Sequence, residues 1–205
     1  MAEKLLDVIK ELKEKSKKRN FSQTFDLIVT LKEYDTKKAE NKFTEDIVLP
    51  HGRGGDVEVV VFSDIIKDLD CKTLTSENIN ELSKKKRDIK KLVSGADFFL
   101  AEPKLMPLIG KSFGQFLAPR GKMPKLLTGN AKSLVENYKK SVRIRIKDSP
   151  VVQCLVGNEK MDDEKVVENI NAVIKFLESK LPKGKHNFGK VMLKLTMSKP
   201  VKIEV

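Results

Sequence analysis

The sequence has no tryptophan, and among its 205 residues only two cysteines, two histidines and two tyrosines. Each scarcity excludes something. Cys71 and Cys154 lie 83 residues apart, form no CxxC and have no histidine nearby. A disulfide framework or a zinc site is therefore not expected, and a reducing compartment fits better. His51 and His186 have no partner at ligand spacing such as HxxxH, and each reads as an exposed loop histidine. No apolar run approaches the ~20 residues a membrane span needs. The opening stretch MAEKLLDVIKELKEK interleaves charges with apolar residues and does not resemble a signal peptide. A cytoplasmic protein without a membrane partner is expected. There is also no GxxxxGK[ST] loop and no GxSxG elbow. The carboxylates Asp162, Asp163 and Glu164 stand at a predicted helix start, where the helix dipole accounts for them without catalysis. Nothing forms an organised acid–base or nucleophile set, so neither an enzyme nor a cofactor is expected.

What the chain has is charge. Lys and Arg number 41 against 29 Asp and Glu, a net charge of +12. Such an excess favours a polyanionic partner, nucleic acid or an anionic membrane surface; the alternative is generic surface lysine. The hydrophobic fraction of 40% is enough for a folded core. The length suits one or two domains.

The apolar period changes along the chain. Residues 3–18 read as an amphipathic helix: Leu5, Ile9 and Leu12 repeat at helical spacing, and Lys15, Lys17, Lys18 and Arg19 crowd its end. In 24–32, Phe25, Leu27, Val29 and Leu31 alternate with Thr24, Asp26, Thr30 and Lys32, as in a half-buried strand. A second strand is expected at 43–49, before the break PHGRGGD. Residues 57–62 are apolar apart from Glu58, as in a strand covered on both faces. Thr75 or Ser76 caps a predicted helix over 77–93, and a short strand follows at 98–101. Residues 103–125 read as a loop punctuated by Pro107, Gly110, Gly114, Pro119 and Gly121. Then come a helix near 130–140 and alternating strands at 142–147 and 151–156. Asp162–Lys180 carries the strongest helical stripe: Val166, Val167, Ile170, Val173, Ile174 and Leu177. A loop, LPKGKHNFG, leads to an alternating strand through Val191, Leu193 and Leu195.

Strand and helix alternate in the middle, which suggests a small α/β domain with parallel strands. The two ends together suggest one α+β domain, with the middle inserted and the crossings near residues 55 and 148. Residues 1–55 carry 12 basic and 10 acidic side chains, residues 56–147 carry 19 and 11, and residues 148–205 carry 10 and 8. Divided so, the middle is the basic part.

Two motifs have competing readings. HGRGG (51–55) has glycines but lacks GxGxxG spacing and precedes a strand rather than a helix, so it reads as a turn or hinge. KKKR (84–87), with Lys90 and Lys91, is either a solvated helix face or an RNA contact. The most specific stretch is LMPLIGKSFGQFLAPRGKMPK (105–125). Its glycines at 110, 114 and 121 and the cations Lys111, Arg120, Lys122 and Lys125 read generically as a phosphate-facing loop.

That stretch resembles the signature of the L-one family of ribosomal proteins, and its PRGKMP core (119–124) is most similar to the archaeal branch. LPHG (49–52), KLTM (194–197) and KPVKI (199–203) extend the resemblance along the whole chain. It implies a discontinuous α+β RNA-binding domain, 1–55 and 148–205, with a Rossmann-like α/β domain inserted at 56–147. It implies binding to large-subunit ribosomal RNA in the mobile side stalk, beside the exit-site transfer RNA. It also implies repression of translation through the protein's own messenger RNA, and a monomer when free. The implied RNA surface has Phe21 and Thr24 from a Phe–x–x–Thr motif, Thr196, Met197 and Ser198 from a Thr–Met–Gly triad, and the lysines Lys190, Lys194 and Lys199. Lys111, Arg120, Lys122 and Lys125 are then secondary RNA contacts. Three positions depart from the family pattern: Ser198 replaces a glycine, Lys199 stands where proline is common, and Ala118 stands where glycine is usual. Segment charge would put the RNA on the middle domain, whereas the resemblance puts the specific site on the terminal one. The alternative from another class is a phosphate-ligand enzyme on the α/β domain.

Overall fold

Near residue 20 the apolar period shifts from about 3.6 residues to 2, and there the first helix gives way to the first strand. The computed structural model describes residues 2–17, 19–66 and 71–204. Lys18, counted above among the cations ending the first helix, lies outside them. Helix α1 spans Ala2–Lys15 and buries Leu5, Ile9 and Leu12. Strand β1 spans Thr24–Leu31 and buries every second residue, Phe25, Leu27, Val29 and Leu31.

The chain divides into two compact units, residues 1–55 with 140–205, and residues 56–139. In the first unit β1 is central. It pairs antiparallel with β8 (Val151–Asn158) on one side and β9 (Phe188–Leu195) on the other. β10 (Val201–Ile203) completes the order β10-β9-β1-β8. One sheet face joins α1 and α6 (Asp163–Lys180) in a single core, to which α6 contributes the six stripe residues expected of it. The other face carries Thr24, Asp26, Ile28 and Thr30 of β1 beside Met192 and Lys194 of β9, all half-buried.

A separate two-stranded ribbon pairs β2 (Phe43–Val48) with β7 (Ser141–Ile146). Asp46 stands opposite Arg143, whose Nε donates to Asp46 Oδ1 at 2.7 Å. This corrects the sequence expectation for 142–147. That strand belongs to the terminal unit, because Val142, Ile144 and Ile146 enter its core. The return crossing therefore falls between Lys139 and Lys140 rather than near residue 148.

In the second unit, β3 (Val59–Phe62), β4 (Lys72–Leu74), β5 (Phe98–Ala101) and β6 (Lys125–Leu126) form a parallel sheet in the order β4-β3-β5-β6. α2 (Ser76–Ser83), α3 (Lys86–Gly95) and α4 (Met106–Leu117) pack with Val60, Phe62, Phe99 and Ala101. α5 (Ala131–Lys139) packs on the opposite face, with Val59, Val61, Phe98 and Leu100. Because both faces are covered, β3 and β5 show no alternation. Phe62 stacks on Phe99 at 6.0 Å and meets Phe113 edge-on at 5.9 Å.

Two further expectations are corrected. The predicted helix 77–93 is broken at Lys84–Lys85 into α2 and α3. Thr75 caps α2, its Oγ1 accepting from Asn78 N–H at 3.5 Å. At the break Ser83 Oγ donates to Asn80 O, and Lys85 N–H donates to Leu82 O at 2.8 Å. The glycine-rich stretch 103–125 is mostly helix. Pro107 sits in the first turn of α4, where its missing N–H costs nothing, and Ile109, Phe113 and Leu117 bury one stripe. Gly110 and Gly114 lie within α4, so they do not form a phosphate-facing loop.

Candidate nucleic-acid interface

Where β1 begins and β9 ends, two threonines lock together. Thr196 N–H donates to Thr24 O at 3.0 Å, and Thr24 N–H donates to Thr196 Oγ1 at 3.0 Å. The two hydroxyl oxygens are themselves 3.0 Å apart. These bonds place the two threonines side by side, one residue beyond the Phe25–Leu195 pair of the β1–β9 register.

Beyond Thr196 the chain turns. Ser198 N–H donates to Leu195 O at 3.0 Å, and Leu195 N–H donates to Ser198 Oγ at 2.8 Å. Ser198 therefore closes this turn with its side chain. Met197 follows Thr196 in the turn, and its side chain is 61% exposed, while Phe21, three residues before Thr24, is 51% exposed. Neither is a core residue. Two large apolar side chains left in water beside a hydroxyl pair are more informative than any buried one.

The lysines differ in state. Lys194 Nζ donates to Thr196 O at 3.0 Å and lies 3.5 Å from Asp26 Oδ2, so it braces the turn and balances the Asp26 carboxylate. Lys190 and Lys199 are exposed, and neither side chain has an ion-pair partner among the described residues.

One residue of this region was not singled out in the sequence. Gln23 is 1% exposed, and its Oε1 accepts from Met197 N–H at 3.2 Å. It ties the entry of β1 to the turn after β9. In the sequence it is an ordinary polar spacer between Phe21 and Thr24, and nothing local marks it as buried.

The four cations expected as secondary contacts do not share one role. Lys111, Arg120 and Lys125 are exposed on the second unit. Lys122 is held locally: its Nζ donates to Ala96 O at 2.7 Å and Val93 O at 3.1 Å, satisfying carbonyls at the end of α3. The charge distribution also changes once the observed division is used. Residues 1–55 with 140–205 carry 26 basic and 18 acidic side chains, and residues 56–139 carry 15 and 11. Lys140, Arg143, Arg145 and Lys147 make the difference, and the terminal unit becomes the more basic one. The conflict between charge and resemblance disappears.

A sequence profile of the ribosomal protein L1p/L10e family matches residues 12–199. The chain belongs to that family. It is 46% identical to the large ribosomal subunit protein uL1 of Methanocaldococcus jannaschii, over 98% of this chain and 95% of that one. It is 41% identical to the uL1 of Pyrococcus horikoshii, over 98% and 96%. It is 39% identical to that of Methanothermobacter thermautotrophicus, over 99% and 100%. The L1p/L10e family is one of ribosomal proteins, not of enzymes, which removes the phosphate-ligand enzyme as a reading of the α/β unit. The structure adds two observations about the described residues. No helix is long and apolar enough to cross a membrane, and Cys71 and Cys154 are both free thiols.

Proposed function

We propose that this protein is a constituent of the large ribosomal subunit in the cytoplasm. It binds large-subunit ribosomal RNA in the mobile side stalk, beside the path by which deacylated transfer RNA leaves. The same surface binds a similar fold in its own messenger RNA and represses translation. The observation that carries the reading is the Thr24–Thr196 hydroxyl pair flanked by the exposed Phe21 and Met197. Hydroxyls exchange hydrogen bonds with ribose 2′-OH groups, and apolar side chains pack on sugars, so shape and sugar chemistry are recognised without a large field. Lys190 and Lys199 add phosphate contacts, and Lys194 and Ser198 hold the turn that presents Met197. Lys111, Arg120 and Lys125 contribute weaker, salt-sensitive contacts. The parallel order β4-β3-β5-β6 with helices on both faces supports a Rossmann-like reading of the inserted unit, one without nucleotide chemistry. The free protein is a monomer.

The test is a titration of the full chain against a transcript of the stalk helix, with an unrelated duplex of equal length as competitor, across a salt series. Preference for the stalk helix is expected, with log K falling against log salt at a slope of about −4 if about five phosphates are neutralised. Equal affinity for both RNAs would overturn the reading.

A further inference from the structure

Gln23 carries an unanswered donor. Its Oε1 is fixed by Met197 N–H at 3.2 Å, and the reverse orientation of the amide would set N–H against N–H. The Nε2 group has no hydrogen-bond partner among the described residues, although Gln23 is 1% exposed. The Nε2 group is not sealed off: among the described residues the buried side-chain polar atom without a partner is Thr73 Oγ1, so the Gln23 donor is open to the groove and to an acceptor placed there.

Gln23 lines an open groove of about 420 Å³ between the C-terminal end of α1 and the turn after β9. Lys17, Arg19 and Lys199 also line it, all exposed and none with an ion-pair partner among the described residues. Nearby cations on α1 behave differently: Lys13 pairs with Asp163 and Lys15 with Glu11. Met197, 61% exposed, supplies an apolar wall. The groove thus combines three uncompensated cations, one polarisable apolar surface and one fixed, unfilled donor.

We propose that this groove holds a single unstacked nucleotide of the bound RNA. Its phosphate lies among Lys17, Arg19 and Lys199, and its base lies against the Met197 thioether. An oxygen of its ribose or base accepts from Gln23 Nε2–H. Unpaired, splayed nucleotides are what proteins read on RNA, because their faces and edges are open. The cation set answers the phosphate, and the amide answers an oxygen that no lysine could select. The inference rests on the RNA-binding reading above and adds to it a pocket with a specificity-determining residue.

The full chain is titrated with the stalk-helix transcript and the unrelated duplex over a salt series. Arg19→Gln with Lys199→Gln is compared with Lys85→Gln with Arg87→Gln, the same charge change on the other unit. The groove pair should weaken stalk binding at least tenfold and flatten the salt slope by about one unit per phosphate released. The control pair should have a much smaller effect. Gln23→Glu keeps the acceptor for Met197 N–H and removes the amide donor. It places a carboxyl at a 1% exposed position and should melt below wild type; per folded molecule it should lose at least tenfold in stalk affinity, with less loss on the duplex. Equal effects of the two charge pairs overturn the groove, as does a folded Gln23→Glu that binds like wild type. If Gln23→Glu does not fold, the two surface pairs still decide. Wild type without preference for the stalk helix overturns the RNA reading itself; a preference that every groove variant leaves intact overturns the groove alone.

Discussion

The hydroxyl oxygens of Thr24 and Thr196 lie 3.0 Å apart, and the Thr196 oxygen also accepts the Thr24 N–H. The two residues are therefore unequal. Thr196→Val leaves a backbone donor without its acceptor, whereas Thr24→Val removes only a hydroxyl partner. Thr196→Val should cost about 1–2 kcal/mol of stability and Thr24→Val less. For RNA binding the pair should act as one unit. The double variant should lose less than the sum of the singles, with a coupling of about 0.5–3 kcal/mol. Strict additivity in a double-mutant cycle of stalk-RNA affinity would show that the hydroxyls contact RNA separately or not at all.

Phe21 and Met197 should behave as contacts. A core truncation to alanine loses roughly 2–5 kcal/mol of stability. With side chains 51% and 61% exposed, Phe21→Ala and Met197→Ala should leave the melting temperature nearly unchanged. Each should weaken binding to the stalk RNA by roughly 1–3 kcal/mol, taking base-contact magnitudes as a guide. Melting and titration on the same samples separate the outcomes. A large melting drop with unchanged affinity per folded molecule would return both residues to the core.

Ser198 replaces the glycine of the family pattern, which makes Ser198→Gly a restoration. The geometry argues that the serine has taken on a local task. Its Oγ accepts Leu195 N–H at 2.8 Å, and its backbone is not left-handed, so glycine is not required there. Ser198→Gly should lower stability by about 1 kcal/mol and leave RNA affinity unchanged or slightly weaker. Tighter binding in the titration would show instead that the serine Cβ crowds the RNA.

Elements with an uninterrupted period were legible from residues alone. β1, α6 and β9 each carry an apolar set at spacing 2 or 3.6 that nothing breaks, and the structure buries those sets. α4 was hidden because Pro107, Gly110 and Gly114 outweighed the i, i+4 stripe of Ile109, Phe113 and Leu117. β7 was recognised as a strand but assigned to the wrong unit, because alternation does not name a partner. Its partner is fixed by long-range matches such as Arg143 opposite Asp46. The same limit applies to the site. Thr24, Thr196, Phe21 and Met197 were reachable by motif. The burial of Gln23 and the engagement of Lys122 by two carbonyls depend on what lies opposite each side chain, and local sequence does not contain that.

The buried thiol gives a pH prediction. Burial pushes the Cys154 thiol up to about 12, and the Asp26 carboxylate adds to the rise. Because the folded state disfavours the thiolate, the associated stability is fully present below the unfolded thiol pKa of about 8.5. It is lost as pH rises from there toward the folded value, at up to about 1.4 kcal/mol per pH unit. Cys154→Val should therefore flatten the alkaline limb of a stability–pH curve while leaving the neutral region little changed. In parallel, a thiol reagent near neutral pH should modify the half-buried Cys71 in the native protein and reach Cys154 only after unfolding. Rapid native labelling of both would contradict the burial.

The boundary at Lys139–Lys140 predicts how fragments behave. Residues 56–139 contain all four strands of the parallel sheet and the helices on both its faces. This fragment should fold alone, with a cooperative melt. Extending it to residue 147, the boundary the sequence suggests, adds β7 without β2. Val142, Ile144 and Ile146, at most 6% exposed in the whole chain, would then meet water along a strand with an unpaired edge. Such a strand is an aggregation hazard, and the arginines between its apolar residues blunt it only partly. The longer fragment should elute as larger species by size exclusion and melt no higher than the shorter one. If it is instead the more stable, monomeric fragment, β7 belongs to the inserted unit and the division drawn here is wrong. Circular dichroism and size exclusion on both fragments, at matched concentration and salt, decide between the two boundaries.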